Sequence, residues 1–174
     1  MHMNDEQRSA ELRRAVGLYT RLVYGIALHE LNGGSRADAD DVFQEVFLLY
    51  FRRLGDLEFG CEEERRAWLA RTAVNLSRRY RLSIWNTRVE KLPPDDLPER
   101  AEDIFTNERE RAVFSAVKAL PERYRLPVYL YYFENMPAGE VARVLRISEG
   151  AVLTRLHRAR KRLRKQLEGE YFDE

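Results

Sequence analysis

The chain has 174 residues with 30 Lys and Arg against 29 Asp and Glu, three His, one Cys and 44% hydrophobic residues. That length holds one or two small domains with cores of their own, and the balance suits a water-soluble globular protein. An internal disulfide is excluded; the lone Cys61 and the scattered His2, His29 and His157 offer no metal-ligand spacing or catalytic constellation, so no metal, no cofactor and no enzymatic activity is expected.

No stretch is apolar enough to span a bilayer, and no charged-then-apolar leader precedes a cleavage site. The expectation is a cytoplasmic protein without membrane insertion. Before residue 83 nearly every segment has helical periodicity, and no alternating run of β-branched residues is bounded by turn signals. The predicted class is all-α, with helices over Asp5 to Leu31, Arg36 to Leu54 and Glu63 to Tyr80, broken at Asn32-Gly33-Gly34 and at Gly55 to Gly60.

In the second helix Ala39, Val42, Phe43, Val46, Phe47, Tyr50 and Leu54 project to one apolar face and belong in the core. Opposite them stand Asp41, Gln44, Glu45, Leu48 and Arg52. A leucine framed by acids, an amide and an arginine is the mix of a docking surface, although a single outward leucine is also ordinary. The third helix turns Trp68, Leu69, Thr72, Ala73 and Leu76 inward and leaves Arg71, Asn75, Arg78, Arg79 and Arg81 more exposed. Basic groups and an amide beside Trp68 and Tyr80 suit phosphates and unstacked bases, or simply solvent.

The near-zero net charge hides a gradient: residues 1–82 carry 13 basic and 13 acidic side chains, residues 83–110 carry 4 and 8, and residues 111–174 carry 13 and 8. The acidic middle contains Pro93-Pro94 and Pro98, which discourage helix. We therefore divide the chain into a domain over 1–82, a flexible linker over 83–107 and a positively charged domain over 108–174. In the last of these, Pro127 should kink the helix that follows Leu120-Pro-Glu-Arg-Tyr-Arg125, since its ring removes an amide and clashes with the preceding turn.

From Met136 to Leu167 two helical patterns meet across a tight turn. The first runs from about Pro137 to Leu145, with Val141, Ala142, Val144 and Leu145 packed. Ser148 is a candidate N-cap, so the second helix should begin at Glu149. There Val152, Leu156, Ala159, Leu163 and Leu167 form one stripe, and Gly150, Thr154, His157, Arg158, Lys161 and Lys165 lie opposite it. Leu153, Arg155, Arg160 and Arg162 lie on its flanks. Between Leu153 and Lys165 stand seven Lys or Arg and no acid. This is the layout of a helix-turn-helix DNA reader whose basic helix attracts phosphate.

Taken together these residues resemble bacterial sigma factors of the extracytoplasmic-function group within the sigma-70 family. The likeness covers about Tyr19 to Leu82 and Glu108 to Leu167. The family's D-x-x-Q-E-x-F stands here as Asp41, Gln44, Glu45 and Phe47, and its W-L-x-x-x-A-x-N as Trp68, Leu69, Ala73 and Asn75. LPERYR (Leu120 to Arg125), ISEGAV (Ile147 to Val152) and RLHRARKRLR (Arg155 to Arg164) follow in order.

The resemblance implies a dissociable promoter-specificity subunit with no catalysis of its own. Asp41, Gln44, Glu45, Leu48 and Arg52 would then bind the β′ clamp helices of core RNA polymerase, and the C-terminal domain would bind the β flap. Arg71, Asn75, Arg78 and Arg79, with the loop from Asp56 to Glu64, would engage the minus-10 element. Leu153, Thr154, Arg155, His157, Arg158 and Lys161 would meet the minus-35 element in the major groove. An anti-sigma factor is a further implied partner. Several features depart from the family pattern besides Pro127: Arg146 stands where the turn is often glycine, implying a strained left-handed backbone or a different turn; Leu153 stands where the recognition helix is often basic, implying contact with a thymine methyl instead of a hydrogen bond; and the loop DLEFGCEEE is acidic, implying a narrow or atypical minus-10 preference. Competing classes are a stand-alone helix-turn-helix regulator, which normally dimerises, and a protein that binds polymerase without promoter activity.

Overall fold

The structure is a computed structural model that describes residues 3–32, 36–87 and 107–172. Among them are seven α-helices, one short π-helical turn and no strand, so the chain is all-α. It divides into two compact units, Met1–Pro94 and Asp95–Glu174. Most of the expected linker, including Pro93, Pro94 and Pro98, lies outside the described residues, as do Gly33 and Gly34. No helix among the described residues is long and apolar enough to cross a membrane.

The first unit contains α1 (Asp5–Glu30), α2 (Arg36–Arg53) and α3 (Glu62–Thr87). Asn4 starts α1 with a reciprocal cap: its Oδ1 accepts from the Gln7 amide at 2.7 Å while its own amide donates to Gln7 Oε1 at 3.0 Å. Those bonds satisfy two amides that the helix leaves without partners. Every residue of α1 from Leu22 to Glu30 is buried, because α2 and α3 both pack on it and on one another. Val42, Val46 and Tyr50 of α2 and Leu69, Ala73 and Val74 of α3 complete this core.

Two expectations shift here. Phe43, assigned to the core, is only half-buried, with its ring 6.0 Å from Tyr24 and 4.9 Å from Phe47. In α3 the buried arc takes in Ala70, Val74 and Ser77, while Trp68 and Thr72 sit at its margin. Packing against two helices at once widens a buried stripe beyond one projected face. In addition, α3 runs on to Thr87, past the expected end at Tyr80 and into the segment assigned to the linker.

The second unit contains α4 (Glu108–Lys118), α5 (Glu122–Val128), a π-helical turn (Tyr129–Phe133), α6 (Ala138–Leu145) and α7 (Glu149–Phe172). Asn107 caps α4 by accepting from the Glu110 amide at 2.8 Å. Pro127 lies inside α5, and the chain widens directly after it: the Glu134 amide bonds the Tyr129 carbonyl at 3.2 Å and the Met136 amide the Leu130 carbonyl at 3.0 Å. A proline that cannot donate to the carbonyl four residues back loosens the ladder, and the π turn is the local form this takes. It aims Tyr129 and Phe133 at Phe114, with all three ring centroids within 6.3 Å of one another.

The turn between α6 and α7 is tight. Arg146 adopts the left-handed conformation, φ 56° and ψ 45°, and the Ile147 amide closes back on the Ala142 carbonyl at 3.1 Å. For a residue with a Cβ this backbone costs about 1–2 kcal/mol. Ser148 caps α7 as expected, its Oγ accepting from the Ala151 amide at 3.1 Å. Val152, Leu156 and Ala159 are buried, whereas Leu163 and Leu167 are half-buried.

Core burial should dominate the stability of the first unit. Ile26 is fully buried and Leu18 is 57% exposed. Ile26→Ala is expected to destabilise the unit by about 2–5 kcal/mol in urea unfolding, and Leu18→Ala by about 0.5 kcal/mol or less.

Candidate functional site

Three surfaces of the described chain carry the residues singled out by sequence. On α7, burial of Val152, Leu156 and Ala159 turns the opposite side to solvent, and Leu153, Thr154, His157, Arg158 and Lys161 are all exposed, with Arg155 half-buried. Leu153 is 51% exposed, which leaves an apolar group free at the leading end of the helix. Thr154, His157, Arg158 and Lys161 therefore lie opposite the buried stripe, with Leu153 and the half-buried Arg155 on its two flanks.

Not every cation of α7 is available. Arg160 Nη1 donates to the Tyr132 hydroxyl at 3.1 Å, and the Arg162 guanidinium lies 5.4 Å from the centre of the Tyr124 ring, which also meets Arg123 at 4.9 Å. Burial alone would raise the Tyr124 phenol, but the two guanidinium charges hold it below its ordinary value. Sequence spacing could not reveal these pairs, because Tyr132 and Tyr124 belong to the preceding elements. Arg158, Lys161, Arg164 and Lys165 remain outward.

On α2, Asp41, Gln44, Leu48 and Arg52 are exposed and Glu45 is half-buried. Leu48 is 47% exposed among them. The Glu45 carboxylate accepts from Arg79 Nη2 of α3 at 2.7 Å. Tyr80 follows the same edge: burial raises its phenol first, and the charges of Glu45 and Asp41 raise it further. The structure thus brings Arg79, grouped by sequence with the strand-binding residues, onto Glu45 of the α2 surface.

The remaining residues of that group are spread along α3. Arg71 is half-buried and Asn75 exposed, while Arg78 lies 3.5 Å from the buried Glu30 carboxylate. Arg81 reaches the same oxygen at 3.5 Å. Two cations therefore compensate one buried anion at the end of α1, which would otherwise be costly.

The loop between α2 and α3 is anchored throughout. Arg8 Nη2 donates to the Phe51 and Arg52 carbonyls at 2.9 and 3.1 Å, satisfying the end of α2. Phe59 meets Trp68 edge-on, with centroids 6.5 Å apart, and lies under the Arg65 guanidinium at 5.3 Å. Glu64 accepts from the Gly60 amide at 2.7 Å. Glu62 accepts from the Tyr19 hydroxyl, from Arg14 Nη2 at 3.0 Å and from Arg65 Nη1 at 2.5 Å. Tyr50 and Arg65 meet Glu11 alongside, at 2.9 and 3.4 Å. Glu62 and Glu64 are thus engaged internally, while Asp56, Glu58 and Glu63 are exposed. Neither Arg8 nor the Glu62 cluster was singled out by sequence, because the α2 carbonyls that Arg8 meets and the α1 partners of Glu62 lie 43 or more residues away.

Burial by itself would raise the Glu62 carboxyl, but the bonds from Tyr19 and Arg14 and the charge of Arg65 hold it below its ordinary value of 4.5. A carboxyl depressed in the folded state adds stability above its unfolded value, lost as the pH falls through the folded one. Glu62→Gln is thus expected to melt at a lower temperature than the parent chain at neutral pH. The gap should close as the pH drops through 4.5 and below, followed by circular dichroism.

Comparison with known proteins places these surfaces in a family. Residues 15–87 match the model of sigma-70 region 2 and residues 108–163 that of sigma-70 region 4. The RNA polymerase sigma-E factor of Streptomyces antibioticus is 35% identical over 141 residues, covering 78% of this chain and 74% of that protein. The ECF RNA polymerase sigma factor SigW of Bacillus subtilis is 27% identical over 175 residues, covering 87% and 86%. Among solved structures, CnrH in complex with the cytosolic domain of CnrY superposes with a TM-score of 0.64 at 24% identity, covering 92% of this chain and 90% of that one. RpoE of Bartonella quintana, solved with the anti-sigma factor NepR, gives 0.67 at 16% identity, covering 94% and 99%. The two structures share the fold.

Proposed function

The chain belongs to the extracytoplasmic-function group of the sigma-70 family, and on that premise we propose which of its surfaces perform each part of the work. It is a sigma factor that directs transcription initiation by RNA polymerase. The observation that carries this is the ordered pair of matches, region 2 at residues 15–87 and region 4 at 108–163, in one all-α chain.

In this proposal residues 1–82 dock on core polymerase and engage the minus-10 element, residues 83–107 tether, and residues 108–174 read the minus-35 element. Leu48 supplies the apolar contact with the β′ clamp helices, and Asp41, Gln44, Glu45 and Arg52 frame it, as suits an interface whose polar rim fixes orientation. Arg79 braces Glu45 and stands beside the strand-facing side of α3, where Arg71, Asn75 and Arg78 meet phosphates and opened bases. Arg155, Arg158 and Lys161 fix α7 on phosphates or guanine edges, Thr154 and His157 offer shorter polar contacts, and Leu153 suits a thymine methyl. The β flap takes the C-terminal unit, and an anti-sigma factor is the natural antagonist. We place the chain in the cytoplasm, without catalysis or cofactor of its own.

Tethering makes the arrangement effective. Two weak contacts held on one polymerase gain from a raised local concentration, so selectivity arises from the pair. The direct test is transcription in vitro by core polymerase with and without this chain, with the transcripts sequenced. Start sites absent from core alone, sharing two upstream elements, are the expected result; no new start sites would reject the proposal.

Two substitutions separate the surfaces. Leu48→Glu should weaken core binding about tenfold or more in a pull-down titration while leaving the helical spectrum intact. Arg158→Ala should cost about 1–3 kcal/mol of promoter discrimination if the guanidinium reads a base.

A further inference from the structure

Arg146 is placed where the backbone least favours it. At φ 56° it is one of two residues other than glycine with positive φ among the described residues, and the second is Asn135, a type that tolerates this region. The turn needs the conformation, since the Ile147 amide must reach the Ala142 carbonyl at 3.1 Å. Glycine or asparagine would supply it at less cost. Strain of this kind, kept at one position, points to a use for the side chain.

That use is not internal. Arg146 is exposed, and among the described residues its guanidinium has no hydrogen-bond, ion-pair or ring partner. A positive charge near the carboxyl end of α6 is favourable, but Arg143 already stands in the last turn without left-handed backbone. Arg146 immediately precedes the exposed leading end of α7, Ser148 to Gly150. In helix-turn-helix docking it is the leading residues of the recognition helix that enter the groove, which brings the turn before them to the groove's edge, where the phosphates run.

We infer that Arg146 is an additional phosphate contact for the minus-35 duplex, held at the groove's edge by a strained turn and setting the register of α7. The inference rests on the reading of α7 as the minus-35 reader. It assigns Arg146 a positioning role: it adds affinity and fixes the helix, but leaves sequence choice to the residues that follow.

The test measures promoter affinity of reconstituted holoenzyme, by competition at 50 and 200 mM salt, for the parent chain and for Arg146→Gly, Arg146→Asn and Arg146→Lys. Glycine and asparagine fit the turn, so folding is kept, and the glycine variant should melt a few degrees higher than the parent. Both should nonetheless bind more weakly at low salt, and between 50 and 200 mM the parent should lose about threefold more affinity than either, the signature of one phosphate contact. Lysine should retain the parent's affinity and salt dependence. The ranking of promoter sequences should be the same for all four chains. Glycine and asparagine variants matching the parent in affinity and salt dependence, beside a parent that selects promoters normally, would overturn the inference alone. A parent that selects no promoter would bring down the reading beneath it.

Discussion

Val152, Leu156 and Ala159 must leave water, and that requirement decides which way the rest of α7 points. A helix has one rotation that buries a given stripe, so sealing these three against α5 and α6 commits Leu153, Thr154, His157 and Arg158 to the open side. The proposed reading surface is the complement of a packing surface. The same logic governs α2, where burying Val42, Val46 and Tyr50 against α1 and α3 sends Asp41, Gln44 and Leu48 outward. In both units the exposed candidate surface is set by what the core excludes.

Polar bonds then refine what burial sets coarsely. In the first unit Glu62 gathers Arg14, Tyr19 and Arg65, and Glu30 gathers Arg78 and Arg81, so that carboxylates join α1 to α3 at both ends of α3. Of the acids between Asp56 and Glu64, Glu62 is paired with cations, while Asp56, Glu58 and Glu63 stay exposed.

Most of the fold was legible because it follows local rules. The Ser148 cap, the break at Gly55 and the apolar stripes of α2 and α7 each depend on residues a few positions apart. What escaped was set by distant partners or by crowding from two sides. Phe43 and Trp68 lie at the margin of the core because three helices share it, and α3 continues to Thr87 through residues whose neighbouring prolines suggested an earlier stop. Pro127 signalled irregularity, but sequence does not say that the ladder would widen into a π turn. The exposure of Thr154, His157, Arg158 and Lys161 on α7 follows from periodicity alone, while Arg155 is half-buried on the flank. The engagement of Arg79 with Glu45, and of Arg160 and Arg162 with tyrosines, needed coordinates, since no spacing rule links them.

The grip of Tyr124 on Arg162 and of Tyr132 on Arg160 has a thermodynamic meaning for α7. Both tyrosines belong to the α5 segment and the π turn behind the recognition helix, so these contacts resist rolling of that helix about its own axis before any ligand arrives. A cylinder already locked in azimuth surrenders little rotational entropy on entering a groove. Arg160 and Arg162 keep their positive charge in these contacts, so α7 gives up none of its pull on an anion while its cations are held in a fixed orientation.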